Sequence, residues 1–170
     1  VALPPERRPS QFVHDRWTKE DGLPLDMVSA IAQTADGYLW MATQGGVVRF
    51  DGRDFVVFDA LSDPAYPHKQ AAVVTARGDS LWIGGSNGVA LMHEGTIDCW
   101  DRGVDAPNGL VQSLLICRSG SIYAGTTGGL ARLEGPSFQL VDGDHAVLGS
   151  EVRALMEDAE GRVWVASRGG

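Results

Sequence analysis

The sequence predicts an all-β fold in which one four-stranded antiparallel sheet is repeated along the chain. Three observations predict it. Aromatic anchors recur at a nearly constant interval: Trp40, Trp82, Tyr123 and Trp164 are separated by 42, 41 and 41 residues. Fixed offsets from each anchor carry matching residue types. Ala42, Gly84, Gly125 and Ala166 lie two residues after it, and Gly46, Gly88, Gly129 and Gly170 six after it. Finally, the intervening runs are rich in β-branched and aromatic residues and are punctuated by Gly-containing turns, the pattern of short strands.

The strands follow in order within each repeat. The first reads SAIAQT, AVVTA, QSLLIC and VRALME in the four copies, with Ile31, Val73, Leu114 and Leu155 nine residues before the anchor. The second is centred on the anchor. Alternation along YLWMAT puts Leu39 and Met41 on one face and Tyr38, Trp40 and Ala42 on the other. Both faces are mostly apolar, as in a sheet covered on both sides. The third strand reads VVRF, VALM and LARL, and the fourth FVVF, TIDCW and FQLV. Asp36-Gly37, Ser119-Gly120 and Glu160-Gly161 suit tight turns between the first two strands, because Gly accepts positive φ without a Cβ clash. Asp59, Asp101 and Asp142 end the fourth strands and read as acceptors of local hydrogen bonds at a turn.

Units of four strands and about 40–45 residues are the mark of β-propeller blades, which bury both sheet faces by stacking around an axis. Residues 28–59, 70–101 and 111–142 form three such units, and 152–170 the first two strands of a fourth. Residues 1–11 are a proline-rich lead-in, reading as the approach to a domain after a targeting segment has been removed. Trp17 lies one period before Phe58, so 12–18 is expected to be the outer strand of a closing blade. The whole of 12–170 is then a partial propeller of about four blades. All five tryptophans fall in two repeat columns, which assigns them to packing.

The bulk properties narrow the function. With 14 Lys plus Arg against 22 Asp plus Glu, the formal charge is -8, a field that repels phosphate backbones and anionic membranes. Nucleic acid is therefore excluded as a partner, and no apolar run is long enough for a membrane span within the segment. Cys99 and Cys117 have no CxxC spacing and read as two small buried hydrophobes. The four histidines lack metal-ligand spacing, so neither a metal nor a cofactor is expected. Gly45-Gly46 is followed by a strand where a phosphate loop needs a helix, and the pair recurs as a turn.

These repeats resemble the two-component regulator propeller family. The likeness rests on AIAQTADGYLWMATQGGVVRF and LLICRSGSIYAGTTGGLARL, with the lead-in WTKEDGLPLDMVSAI, and covers about residues 12–170. Copy two departs most, with Asn87 in place of the first Gly and no Arg in its third strand. The resemblance implies a sensor domain of bacterial hybrid two-component, histidine kinase or diguanylate cyclase receptors. Such a domain lies on the periplasmic side of the inner membrane, and some relatives sense saccharides. A non-enzymatic, ligand-sensing input domain is thus expected, self-associating as a dimer. The alternatives are a saccharide hydrolase or lyase and a protein-binding scaffold. The joins between second and third strands and between fourth and first strands share one face. They carry residues that vary between copies: Gln44, Tyr66, His68, Lys69, Ser86, Asn87, Asn108, Thr127 and Arg168. These are the ligand-face candidates. No catalytic residue is expected: a glycosidase needs two carboxylates facing one bond, and the sequence places no such pair.

Overall fold

A computed structural model describes residues 15–23, 27–59, 61, 66, 70–101, 106–141 and 150–168. It contains three four-stranded antiparallel sheets and a two-stranded one. Blade 1 is β1 (Val28–Gln33), β2 (Leu39–Thr43), β3 (Gly46–Phe50) and β4 (Phe55–Phe58). Blade 2 is β5 (Ala71–Arg77), β6 (Ser80–Gly85), β7 (Gly88–His93) and β8 (Thr96–Asp101). Blade 3 is β9 (Val111–Ile116), β10 (Ile122–Thr126), β11 (Gly129–Glu134) and β12 (Ser137–Leu140). Blade 4 is β13 (Val152–Glu157) with β14 (Val163–Ser167). The chain is a run of β-propeller blades, with strand order in each full sheet following chain order.

The blades are held face to face by apolar seams. Trp40 and Ala42 of blade 1 pack with Ala71, Val74, Leu81 and Ile83 of blade 2. Trp82 and Val89 of blade 2 pack with Val111, Leu114 and Ala124 of blade 3. The expected alternation holds: Trp40 and Ala42 look toward the next blade, while Met41 joins Leu23, Val48 and Phe50 on the opposite face. The small column sits where sheets come closest. A Cβ on Gly84 would lie 2.5 Å from Val111 Cγ1, and one on Gly125 2.6 Å from Val152 Cγ1.

The turn between first and second strands also anchors the aromatic column. In blade 1, Gly37 N–H donates to Thr34 O and Gly37 has φ 94°. The same bond recurs from Gly120 to Cys117 and from Gly161 to Asp158. The residue that starts this turn receives the anchor's indole N–H: Trp40 Nε1 donates to Thr34 Oγ1 at 3.0 Å, and Trp164 Nε1 to Asp158 Oδ2 at 2.8 Å. The Trp164 bond, with Arg162 beside it, holds the Asp158 carboxyl down at about 2. Blade 2 is the exception. Its first two strands are joined by Gly78-Asp79 alone, since Arg77 pairs with Ser80. One residue is missing from this turn, so the first strand slides by one. Val74, not Val73, pairs with Ile83 as Ile31 does with Met41.

Three expectations need correction. Asp15–Thr18 are not in a strand, and the remainder of 12–18 lies outside the described residues, as do 1–11. A strand requires an edge with which to pair. Trp17 instead sets its ring edge-on to Phe50 at 5.1 Å and Phe55 at 6.4 Å. Thr18 caps a 3-10 turn at Lys19–Asp21, and Leu23 follows as a buried lid on Met41, Val48 and Phe50. Cys117 is buried as expected, but Cys99 is exposed, on the outer strand of blade 2. The pairing of Val73 with the anchor column is replaced by that of Val74.

Two outcomes follow. Gly84→Ala inserts a methyl into a closed seam and lowers stability by roughly 1–3 kcal/mol, read as a shift of the urea midpoint. For Asp158 the folded value lies below the ordinary carboxyl value of about 3.9. The stabilisation it brings is complete above that value and is lost as pH falls toward about 2. Asp158→Asn removes this part of the acid dependence, so melting curves between pH 4 and 2 flatten relative to the parent.

Candidate functional site

The joins between second and third strands and the segments leading into each first strand lie on one face, and backbone bonds tie them together. Ser86 N–H donates to Gln70 O at 3.4 Å, Thr127 N–H to Leu110 O at 3.0 Å, and Arg168 N–H to Glu151 O at 2.8 Å. The turn itself is fixed by a threonine ending the second strand. Thr43 Oγ1 donates to Gly46 O and Thr126 Oγ1 to Gly129 O. Gly46 and Gly88 have φ above 100°, and their α-carbons abut the carbonyls of Phe58 and Trp100 on the outer strands.

Four of the predicted residues come together on this face. Ser86 and Asn87 face Asn108 across a cleft of about 490 Å³, completed by Gly88, Ala106, Pro107, Gly109 and Leu110. Thr127 buttresses its far wall: Thr127 Oγ1 accepts from Leu110 N–H at 3.0 Å, while Thr126 Oγ1 also lies 2.5 Å from Asn108 O. Gly128 allows this approach, since a Cβ there would lie 2.8 Å from Asn108 O. The described lining carries amides, a hydroxyl and backbone groups, and no charged side chain. Such a surface suits a neutral ligand rich in hydroxyls or amides, recognised by directional hydrogen bonds.

The other candidates fall elsewhere. Gln44 is exposed on the blade 1 turn, outside the cleft lining. Arg168 pairs with Glu151 at 3.7 Å on the blade 4 turn. Tyr66 is buried, at 1% exposure, in the seam between blades 1 and 2, and burial together with the Asp59 charge pushes its phenol well up. It is core and not a surface contact: its ring fills apolar space that a polar loop sequence did not disclose. His68 and Lys69 lie outside the described residues. Asp59 accepts from Leu61 N–H at 2.9 Å, as a turn acid should.

Sequence reasoning missed a neighbouring depression. Gln112, Glu151 and Arg153, with Ala72 and Leu110, line a space of about 360 Å³. Leu110 is shared with the first cleft. Glu151 is gripped by Arg153 at 3.3 Å as well as by Arg168, and the buried Gln112 Oε1 has no hydrogen-bond partner. The available signal was the polar pair Gln112-Ser113 in a first strand that is apolar at its other positions. Among the described residues no group of His, Cys, Asp and Glu is arranged to hold a metal ion, and no helix is long and apolar enough to cross a membrane.

Blades joined by short turns, with a polar cleft on the loop face, define the class: a propeller segment that presents variable loops on a repeated frame. Within that class, residues 22–45 and 147–169 match the family described as the two component regulator propeller. The first match runs from the lead-in through β2 and the second covers the corresponding part of blade 4. The family match thus falls on copies one and four; of the two stretches that carry the resemblance in the sequence it includes part of the first and none of LLICRSGSIYAGTTGGLARL.

Among solved structures, the extracellular domain of a one component system from B. thetaiotaomicron is similar, with a TM-score of 0.72 at 19% identity over 94% of this chain and 23% of that one. The extracellular domain of a hybrid two component system from the same organism gives 0.65 at 17% identity, over 88% and 21%. Catalytically inactive virginiamycin B lyase from Staphylococcus aureus, with quinupristin, gives 0.63 at 13% identity, over 86% and 50%. The chain thus spans under a quarter of the length of the two signalling domains. At these identities the likeness is one of fold. No curated protein sequence matches the chain.

Proposed function

We propose that this chain is part of the extracytoplasmic input domain of a bacterial transmembrane signalling protein, a two-component sensor kinase or a diguanylate cyclase, and that it acts by binding and not by catalysis. The reading is supported by the family match at residues 22–45 and 147–169. The observation that carries the binding role is the polar cleft built by Ser86, Asn87 and Asn108, with no charged side chain among its described lining residues. Its donors and acceptors are those that hydroxyl-rich ligands engage, so a saccharide is the proposed class. Self-association as a dimer belongs to the same reading: ligand at the cleft would bias two pre-existing arrangements of the receptor.

A hydrolase or lyase would need a general acid or base at the reacting bond. Glu151, the acid that lines the adjoining depression, is engaged by two arginines, which favours a structural role for it.

The test is calorimetric titration with a panel of neutral oligosaccharides, using the parent and an Asn87→Ala/Asn108→Ala variant. Losing two directional contacts costs roughly 2 kcal/mol, so affinity for the bound sugar falls by well over about tenfold. Unchanged affinity in the variant rejects the cleft as the site, and binding of none of the panel rejects the saccharide class.

A further inference from the structure

The three seams between blades are not equivalent. At the seam between blades 2 and 3, Arg77 reaches across to the carbonyls of Cys117 at 2.9 Å and Arg118 at 3.3 Å. Trp100 stacks on Trp82 at 5.4 Å and donates its indole N–H to Pro136 O at 2.8 Å. Leu91 fills the space beside Trp82. Between blades 3 and 4, Arg118 repeats the strap, bonding Asp158 O and the Glu157 carboxylate.

The seam between blades 1 and 2 has three different residues at those same columns. Ala35 stands where Arg118 stands in blade 3, while Arg77, moved by the shorter blade 2 turn, falls in the Thr34 column; Ala35 contributes only its backbone N–H, to Gly78 O at 2.9 Å. Phe58 replaces Trp100 and has no N–H for the turn at Glu94-Gly95. Arg49 replaces Leu91, cross-strand from Trp40. The outer part of this seam is open as a cleft of about 330 Å³, at the end of the blades opposite the Asn87–Asn108 cleft. Its lining includes Arg49, Trp40, Phe58, Asp36, Asp79 and Glu94.

Arg49 is poised in an unusual way. Its guanidinium lies 4.4 Å from the Tyr38 ring centroid, and 5.7 and 6.0 Å from those of Phe58 and Trp40. Among the described residues no hydrogen bond or ion pair engages it. By contrast Arg132, its counterpart in blade 3, is paired with Glu134 at 3.6 Å. A ring-supported guanidinium with free in-plane N–H groups is a preorganised fork for a carboxylate. The rim is acidic. Asp36 is fixed by Thr34 Oγ1 at 2.5 Å, in a relay that begins at Trp40 Nε1. Glu94, at φ 49°, is the first residue of the two-residue turn between β7 and β8, whose geometry requires positive φ and holds the side chain at the rim. His93 lines the cleft too, 3.8 Å from Glu94 and held by Ser80. Three acids beside Arg49 repel a polyanion such as phosphate, but favour a ligand that brings a positive group with its carboxylate.

We propose that the seam between blades 1 and 2 is a second binding site, which takes a small zwitterion, a free amino acid, with its carboxylate on the Arg49 fork and its ammonium toward Asp36, Asp79 and Glu94. The cleft volume suits a ligand of that size. The site is independent of the saccharide reading, since it shares no residue with the other cleft.

The experiment is thermal-shift and calorimetric titration of the whole chain with each of the common free amino acids, and with acetate and inorganic phosphate as probes of single charges. At least one amino acid binds the parent and binds Arg49→Leu at least about tenfold more weakly. That substitution copies what blade 2 already carries, so the frame is retained; near-UV circular dichroism checks it. A second variant, Ala35→Arg/Phe58→Trp, rebuilds the closed seam and abolishes binding while leaving Arg49 in place. Asn87→Ala/Asn108→Ala leaves amino-acid binding unchanged. The proposal is overturned if no amino acid binds up to about 10 mM, which would correspond to an affinity too weak for a built site. It is equally overturned if phosphate binds in preference, or if binding survives both seam variants.

Discussion

The close approach of successive sheets governs everything else in this structure. Each blade brings its second strand against the first strand of the next, and the contact works only because the residue two after the aromatic anchor is small. Gly84 against Val111 and Gly125 against Val152 leave no room for a methyl. A four-stranded sheet of this size cannot bury two apolar faces alone, so stability comes in units of seam as well as of blade. The anchor tryptophans show the dependence directly. Trp40 and Trp82 are each 7% exposed beneath a following blade, whereas Trp164, in the same column, is 57% exposed.

The turn chemistry serves that contact. In blades 1 and 4 the bond from the anchor indole to the residue starting the first turn holds the ring in place. Thr34 and Asp158 perform this with different chemistry, a buried hydroxyl in one blade and a carboxylate in another. In blades 2, 3 and 4 the join after the second strand is bonded to the segment leading into the first strand. The loop face is therefore a set of hydrogen-bonded pairs, and the variable residues sit on a frame that does not itself vary. This accounts for Ser86, Asn87, Asn108 and Thr127 coming together although they arise from three separate joins.

Much of this was legible in the sequence because the repeat is read inside one chain. Strand positions, the outlook of Trp40 and Met41, the role of the small column and the shared loop face all follow from period and alternation. What was not legible has physical causes. The blade 2 hairpin is one residue shorter, and spacing counted from the anchor cannot see a deletion in the turn before it, so it points to Val73 where the structure has Val74. Tyr66 lies in a polar join, yet its ring supplies volume to a seam. Trp17 fits a strand column by number, but Phe50 and Phe55 offer it rings rather than an edge. Gln112, Glu151 and Arg153 are brought together by neighbouring first strands and the loop before one of them, a proximity that no linear spacing encodes.

The arginine straps have a direction. Arg77 holds blade 2 to blade 3 and Arg118 holds blade 3 to blade 4, always reaching forward along the chain. Ala35 leaves the first seam without one. The first seam is tied instead by Ser29 Oγ, which donates to Ala72 O of blade 2 at 2.8 Å, and is filled by the buried Tyr66 ring. The ties are therefore not uniform along the array: guanidinium groups fasten the two later joints and a neutral hydroxyl the first, a chemical polarity that the regular repeat length conceals.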